Sequence, residues 1–297
     1  MATANANGIK IEYETFGDPS LPALLLIIGL GSQLIHWQDE FCQQIADNGY
    51  HVIRYDNRDV GLSTKFDAVS MPQIMEKVMA IFSGQEVTTP YTIEDMANDA
   101  VGLLDALNVD RAHICGMSMG GMIAQTFAIN NPSRTLSLIS IYSHSGNREE
   151  FVPAQEVLEA MMKPVPEERE QYVDYYLNFF KLIFGTGLPF DVEFHRTLFV
   201  RTYDRSFCPE GTGRQSLAIM VQKDRTPELR ELKMPSLIIH GDEDPLVPIA
   251  GGKATAAAIP DSDFMIVKGM GHAMPNLNAY WSDIKDAMIN HMGKVKT

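Results

Sequence analysis

Short runs that are apolar at every position alternate along the chain with longer stretches whose apolar residues recur every three or four places. Ala23 to Ile28 reads Ala-Leu-Leu-Leu-Ile-Ile before Gly29. With no polar residue in alternate places, it predicts a strand buried on both faces of a sheet. His51 to Asp56 predicts the next strand. Between the two, Trp37, Phe41 and Ile45 are spaced by four, which predicts a helix over 37–47 crossing one sheet face. Ile93, Met96, Ala97, Ala100, Leu103, Leu104 and Leu107 fall on one stripe of a helix over 93–107, opened by the capping pair Thr92 and Asp95. Strands are then predicted over 111–115, 135–142, 235–240 and 264–267, and helices over 119–130 and 279–292. Such alternation defines an α/β protein with a mostly parallel central sheet flanked by helices.

The alternation stops between Gly146 and Leu232. This stretch has no strand pattern and holds 12 of the 26 aromatic residues, from Phe151 through Tyr172, Tyr176, Phe184 and Phe199 to Phe207. A length of 297 residues allows two domains or one with an insertion. The pattern favours the second: a helical cap over 146–232 inserted into a core formed by 1–145 and 233–297.

Composition narrows the function classes. With 45% hydrophobic and 21% charged residues the chain is an ordinary globular protein. The net charge is −14 and Lys and Arg are scattered, which argues against a nucleic-acid partner and assigns the acidity to a solvated surface. Neither a secretion signal nor an apolar stretch of about 18 residues is present, so no membrane association is expected. Cys42, Cys115 and Cys208 are odd in number and far apart, which fits reduced thiols in a cytoplasm rather than disulfides or a Cys/His metal site.

Gly116-Met117-Ser118-Met119-Gly120 matches G-x-S-x-G. The pattern can arise by chance, and its context decides: an apolar strand precedes it and a helix follows. There the serine caps a tight turn, its hydroxyl lifted above the sheet edge and the helix N–H groups behind it. A serine hydroxyl needs a base. Of eight histidines, His272 lies in the glycine-rich loop Gly269-Met270-Gly271-His272-Ala273-Met274-Pro275 after the last strand, where it can reach over the sheet edge. His36, His51, His113, His144, His195 and His291 read as surface, strand or cap residues, and His240, which ends a strand, is the nearest rival. A carboxylate must orient the base. Asp242, Glu243 and Asp244 all follow a buried strand, with Asp244 preferred. The order Ser118, Asp244, His272 is that of the α/β-hydrolases.

At these residues the chain resembles the α/β-hydrolase superfamily over nearly its whole length. It looks most like a branch of small serine esterases that includes aclacinomycin methylesterase. The stretches carrying the likeness are Phe16-Gly17-Asp18-Pro19, His51 to Asp56, Met117-Ser118-Met119-Gly120, Asp244-Pro245-Leu246-Val247-Pro248 and Gly269 to Ala273. The resemblance implies that the Asp before Pro, Asp244, is the acid, and that neither metal nor organic cofactor is used. It also places the oxyanion hole at the N–H groups of Leu30 and Met119. The chain departs from the family at Ile28-Gly29-Leu30-Gly31-Ser32, where relatives often carry His-Gly, and at Asp59, where Gly is usual. The first departure asks what else holds that loop; the second reads as a turn.

The expected activity is hydrolysis of a small-molecule carboxylic ester with an apolar portion, through an acyl-enzyme on Ser118. The same residues would serve a lactonase, a perhydrolase or a carbon–carbon bond hydrolase, and fold does not choose among them. A non-catalytic binding protein is the reading that filled catalytic positions argue against.

Overall fold

The chain begins with a hairpin that the apolar runs do not announce. In the computed structural model, which describes residues 2–147, 152–273 and 279–295, β1 (Ala2–Ala6) and β2 (Ile9–Phe16) pair antiparallel across Asn7-Gly8. Both turn residues are left-handed, with φ of 48° and 79°, as a two-residue hairpin turn of this twist requires.

Then follow β3 (Ala23–Ile27), α1 (Asp39–Ala46), β4 (His51–Tyr55), α2 (Met71–Phe82), α3 (Ile93–Ala106), β5 (Ala112–Met117), α4 (Met119–Asn130) and β6 (Thr135–Ile141). Helices α5 (Gln155–Met161), α6 (Arg169–Ile183), α7 (Val192–Arg205), α8 (Pro209–Met220) and α9 (Thr226–Leu229) lie between β6 and β7 (Ser236–Gly241). Last come α10 (Ile249–Ala258), β8 (Asp263–Val267) and α11 (Ala279–Met292). One eight-stranded sheet runs β1-β2-β4-β3-β5-β6-β7-β8, parallel from β4 onward and antiparallel at the β1 and β2 edge.

The unbroken apolar run of β3 is explained by two separate cores. Leu25 and Ile27 face one side with Met96, Leu103, Ile123 and Phe127 of α3 and α4. Leu24 and Leu26 face the other, with Phe41 and Ile45 of α1 and Trp281 and Ile284 of α11. Each such side chain contributes about 1.5–3 kcal/mol on full burial. The Thr92 and Asp95 cap forms as expected: Asp95 N donates to Thr92 Oγ1 at 3.2 Å and Thr92 N to Asp95 Oδ2 at 2.8 Å.

Two helices were not foreseen. In α10 the pair Gly251-Gly252 weakens the helical signal, but a Cβ at Gly251 would crowd His144 and one at Gly252 would overlap the His240 ring, so helix and sheet must approach closely here. In α2, Ile74 and Val78 bury against Leu217 of α8. Between β6 and β7 most aromatic side chains pack α6 against α7, around Tyr172, Val173, Leu177 and Phe199. Phe151 lies outside the described residues.

Candidate active site

The sheet order reverses direction between β3 and β5: the chain leaves β3 toward β4 on one side and continues from β5 toward β8 on the other. Crevices at the carboxyl ends of strands at such a point are where open α/β sheets bind ligands. The loop Gly29–Gly31 follows β3 there, and Ser118 follows β5.

Ser118 has φ 56° and ψ −124°, a conformation that costs a non-glycine residue about 1–3 kcal/mol. Its surroundings hold it there. A Cβ at Gly116 would overlap the Gly120 carbonyl, and one at Gly120 would overlap the Ile27 carbonyl. Ser118 N donates to Ile141 O at 2.9 Å, and Ser118 O accepts from Ser143 Oγ at 2.8 Å. The hydroxyl is only partly buried and makes no hydrogen bond to a described residue. Catalytic hydrogen bonds are often completed only when substrate is bound.

His272 Nδ1 lies 2.7 Å from Asp244 Oδ2. The other oxygen of Asp244 accepts from Leu246 N and Val247 N, both at 2.9 Å, so the turn after β7 fixes the carboxylate. The imidazole packs on the Tyr142 ring, with centroids 4.2 Å apart. Tyr142 directly follows Ile141, the backbone partner of Ser118, so nucleophile and base candidates converge on one point of β6. The base loop is itself seated on the end of α6: Gly271 N donates to Phe184 O at 2.8 Å and His272 N to Ile183 O at 2.6 Å. Met274 and Pro275 of the same loop lie outside the described residues.

The remaining acids of that loop are neither helix caps nor idle solvated groups. Asp242 accepts from Gly269 N at 2.6 Å and Glu243 from Thr186 N at 2.7 Å, which ties the acid loop to the base loop and to the segment after α6. His240 stands 3.8 Å from Asp244, but its Nε2 is 2.7 Å from the Val247 carbonyl. None of the other histidines is on the surface. Burial pushes the pKa of His36 and His113 down to about 4 and that of His144 to about 3, so they pack as neutral rings. Burial also raises the Cys42 thiol to about 12 and lifts Cys115, which removes both as thiolate nucleophiles. No group of three or more His, Cys, Asp or Glu side chains among the described residues could hold a metal ion.

The oxyanion candidates come from the two flanking turns. Neither Leu30 N nor Met119 N donates to a described residue, which leaves both available to a ligand. The loop Ile28-Gly29-Leu30-Gly31-Ser32 is held by side chains from outside it. Asn57 Nδ2 donates to Ile28 O at 2.9 Å, and Leu34 N donates to Asp56 Oδ1 at 2.7 Å. Gln33 Nε2 donates to Thr202 O at 2.9 Å, and Arg205 bridges Gln33 and Asp56 at 2.8 and 2.7 Å. Asp59, expected as a turn residue, is one, with φ 71°. Its fully buried carboxylate also takes both arms of the Arg214 guanidinium at 2.8 Å and the Tyr91 hydroxyl at 2.6 Å. The signal for these partners was the run Asp56-Asn57-Arg58-Asp59 itself, four polar residues at the end of an apolar strand.

A shallow pocket lies beside Gly31, lined by Tyr172, Tyr176, Phe207, Val165 and Val60 together with polar groups of Gln33 and Ser206. Among the described residues no helix is long and apolar enough to cross a membrane.

Known proteins resemble this chain in sequence and in fold. The chain is 29% identical over 296 residues to rhodomycin D methylesterase DauP of Streptomyces sp. (strain C5), covering 90% of each chain. It is 28% identical over 271 residues to 3-oxoadipate enol-lactonase 2 of Acinetobacter baylyi, covering 90% of this chain and 88% of that one. The crystal structure of an esterase, RhEst1 from Rhodococcus sp. ECU1013, superposes with a TM-score of 0.79 at 18% identity, covering 100% of both chains. The family model described as alpha/beta hydrolase fold matches residues 22–276, and the chain belongs to that family.

Proposed function

We propose that this protein is a serine hydrolase that cleaves small-molecule carboxylic esters through Ser118, His272 and Asp244. The observation that carries the reading is the 2.7 Å Asp244–His272 contact, packed against the residue next to the backbone partner of the strained Ser118. Asp244 fixes the tautomer with Nδ1 protonated, which leaves Nε2 as the base. Ser118 Oγ attacks the ester carbonyl as His272 takes its proton. The carbonyl oxygen becomes an oxyanion facing the Leu30 and Met119 N–H groups. The tetrahedral adduct then expels the alcohol, which receives the proton from His272. Water, deprotonated by the same ring, attacks the acyl-enzyme and releases the acid with Ser118 restored.

A serine nucleophile disfavours haloalkane and epoxide chemistry, which needs an aspartate at that position to form an alkyl ester. The methylesterase relatives support an ester substrate, and the enol-lactonase relative supports an internal ester as the second reading. Residues 146–232 act as the cap over a core of 1–145 and 233–297. Three cysteines without disulfides fit a cytoplasmic setting.

Ser118→Ala and His272→Ala should each lower p-nitrophenyl ester turnover by about a thousandfold or more with the circular dichroism spectrum preserved. Wild-type turnover by folded Ser118→Ala would refute the assignment. Asp242→Asn, which keeps the acceptor for Gly269 N, should be far milder than Asp244→Asn.

A further inference from the structure

Gln215 of α8 is completely buried and uses both ends of its amide. Its Oε1 accepts from Gly31 N at 2.9 Å, and its Nε2 donates to Arg58 O at 2.7 Å. Gly31 immediately follows Leu30 and has φ 65°, and a Cβ there would meet Thr212 at 2.9 Å, on the same face of α8 one turn earlier. The loop backbone therefore rests on α8 through one steric contact and one hydrogen bond. The helix is anchored independently of that loop: Arg214 grips Asp59 with two bonds of 2.8 Å, and Gly211 lets the helix close on the Asp59 carbonyl, which a Cβ would overlap.

We propose that Gln215 is a positioning residue for the oxyanion hole: by fixing the Gly31 N–H to the Arg58 carbonyl, it aims the neighbouring Leu30 N–H at the reacting oxygen. The docking of α8 thereby completes the site. An amide suits the position because one partner offers a proton and the other accepts one. Methionine supplies no donor and only a weak sulfur acceptor, and an ionised glutamate supplies only the acceptor for Gly31. The inference rests on the serine-hydrolase reading given above.

The test compares wild type, Gln215→Met and Gln215→Glu on p-nitrophenyl acetate and on its thiono analogue. A thiocarbonyl sulfur accepts hydrogen bonds poorly, so the oxygen-to-sulfur ratio of kcat/KM reports the oxyanion donors. Gln215→Met should lower kcat on the oxygen ester about ten- to a hundredfold, with KM within about twofold, and should shrink the ratio. Gln215→Glu should stay nearer to wild type in both. If Gln215→Met does not fold, Gln215→Asn, one methylene too short to span both partners, provides the same readout. Wild-type kcat and ratio in a folded variant that lacks the acceptor, or equal losses in the Met and Glu variants, would overturn the proposal. Serine-reactive phosphonate labelling is run in parallel. Labelled wild type with indifferent variants overturns the role of Gln215 alone. A wild type that neither labels at Ser118 nor turns over ester overturns the hydrolase reading and this inference together.

Discussion

The two sides of the candidate site are built by opposite means. On the β5 side, Ser118 is set by backbone: Gly116 and Gly120 make room, α4 begins at once, and Ile141 of the adjoining strand β6 accepts the backbone N–H. On the β3 side, the loop around Leu30 is set by side chains from far along the chain, including Asp56, Arg205 and Gln215, the last 184 residues from its partner. A turn made of glycines and strand ends can be specified within a few residues. The loop after β3 takes donors and acceptors from what packs on it, chiefly α7 and α8.

The largest expected effect lies on the β5 side. Gly120→Val places a branched side chain where even a Cβ would overlap the Ile27 carbonyl, so the elbow cannot form. Phosphonate labelling and ester turnover should both vanish, and circular dichroism distinguishes local collapse from global unfolding. Retention of normal labelling would break the contrast, because it would mean that the elbow tolerates what its geometry forbids.

On the other side, Asp59→Ala strands the buried Arg214 guanidinium and the Tyr91 hydroxyl. Removing one partner of a buried pair costs about 3–5 kcal/mol, which urea denaturation would read as a lowered midpoint. A change below about 1 kcal/mol would show that α8 docking does not depend on this pair.

Acid offers a third, smaller perturbation per group. His36, within the loop half of the site, has its pKa depressed by burial to about 4, as does His113, and His144 is at about 3. Below about pH 6.5 the unfolded chain binds protons that these rings refuse, so their stabilisation is complete above that pH and is lost as pH falls toward 4. Between pH 7 and 5 each should cost about 1–2 kcal/mol of unfolding free energy. Asp56 and Asp99 act in the opposite sense, since burial raises their pKa and lets the folded state take up protons first. Urea melts across this range measure the sum, and a stability that rises on acidification would contradict the account.

The same division explains what the sequence made legible. The apolar runs at β3, β4 and β6 and the capped helix α3 were read within a residue or two at their ends, because burial on both sheet faces and a capping box are local signals. The β1–β2 hairpin is announced by Asn7-Gly8 but not by an apolar run, since β1 is small and polar and β2 alternates apolar with polar residues. Ser118, Asp244 and His272 are legible as motif positions in the order that α/β-hydrolases use. Gln215, Arg205 and Arg214 are not, because nothing near them in sequence marks a polar residue of an aromatic-rich insertion as a partner for the loops after β3 and β4. Even the net charge of −14 reads differently. Part of the scattered basic charge is interior: Arg54, Arg58, Arg214 and Arg225 are all buried.

The central claim is that Ser118 becomes acylated with His272 as its base. Rapid mixing with a p-nitrophenyl ester, quenching in acid and peptide mass mapping test it most directly. The account predicts a burst of nitrophenol approaching one equivalent when deacylation is slow, an acyl mass increment on the peptide containing Ser118, and loss of both in His272→Ala. Ester turnover with a protein that carries no acyl group at Ser118, under conditions where the burst is seen, would contradict it.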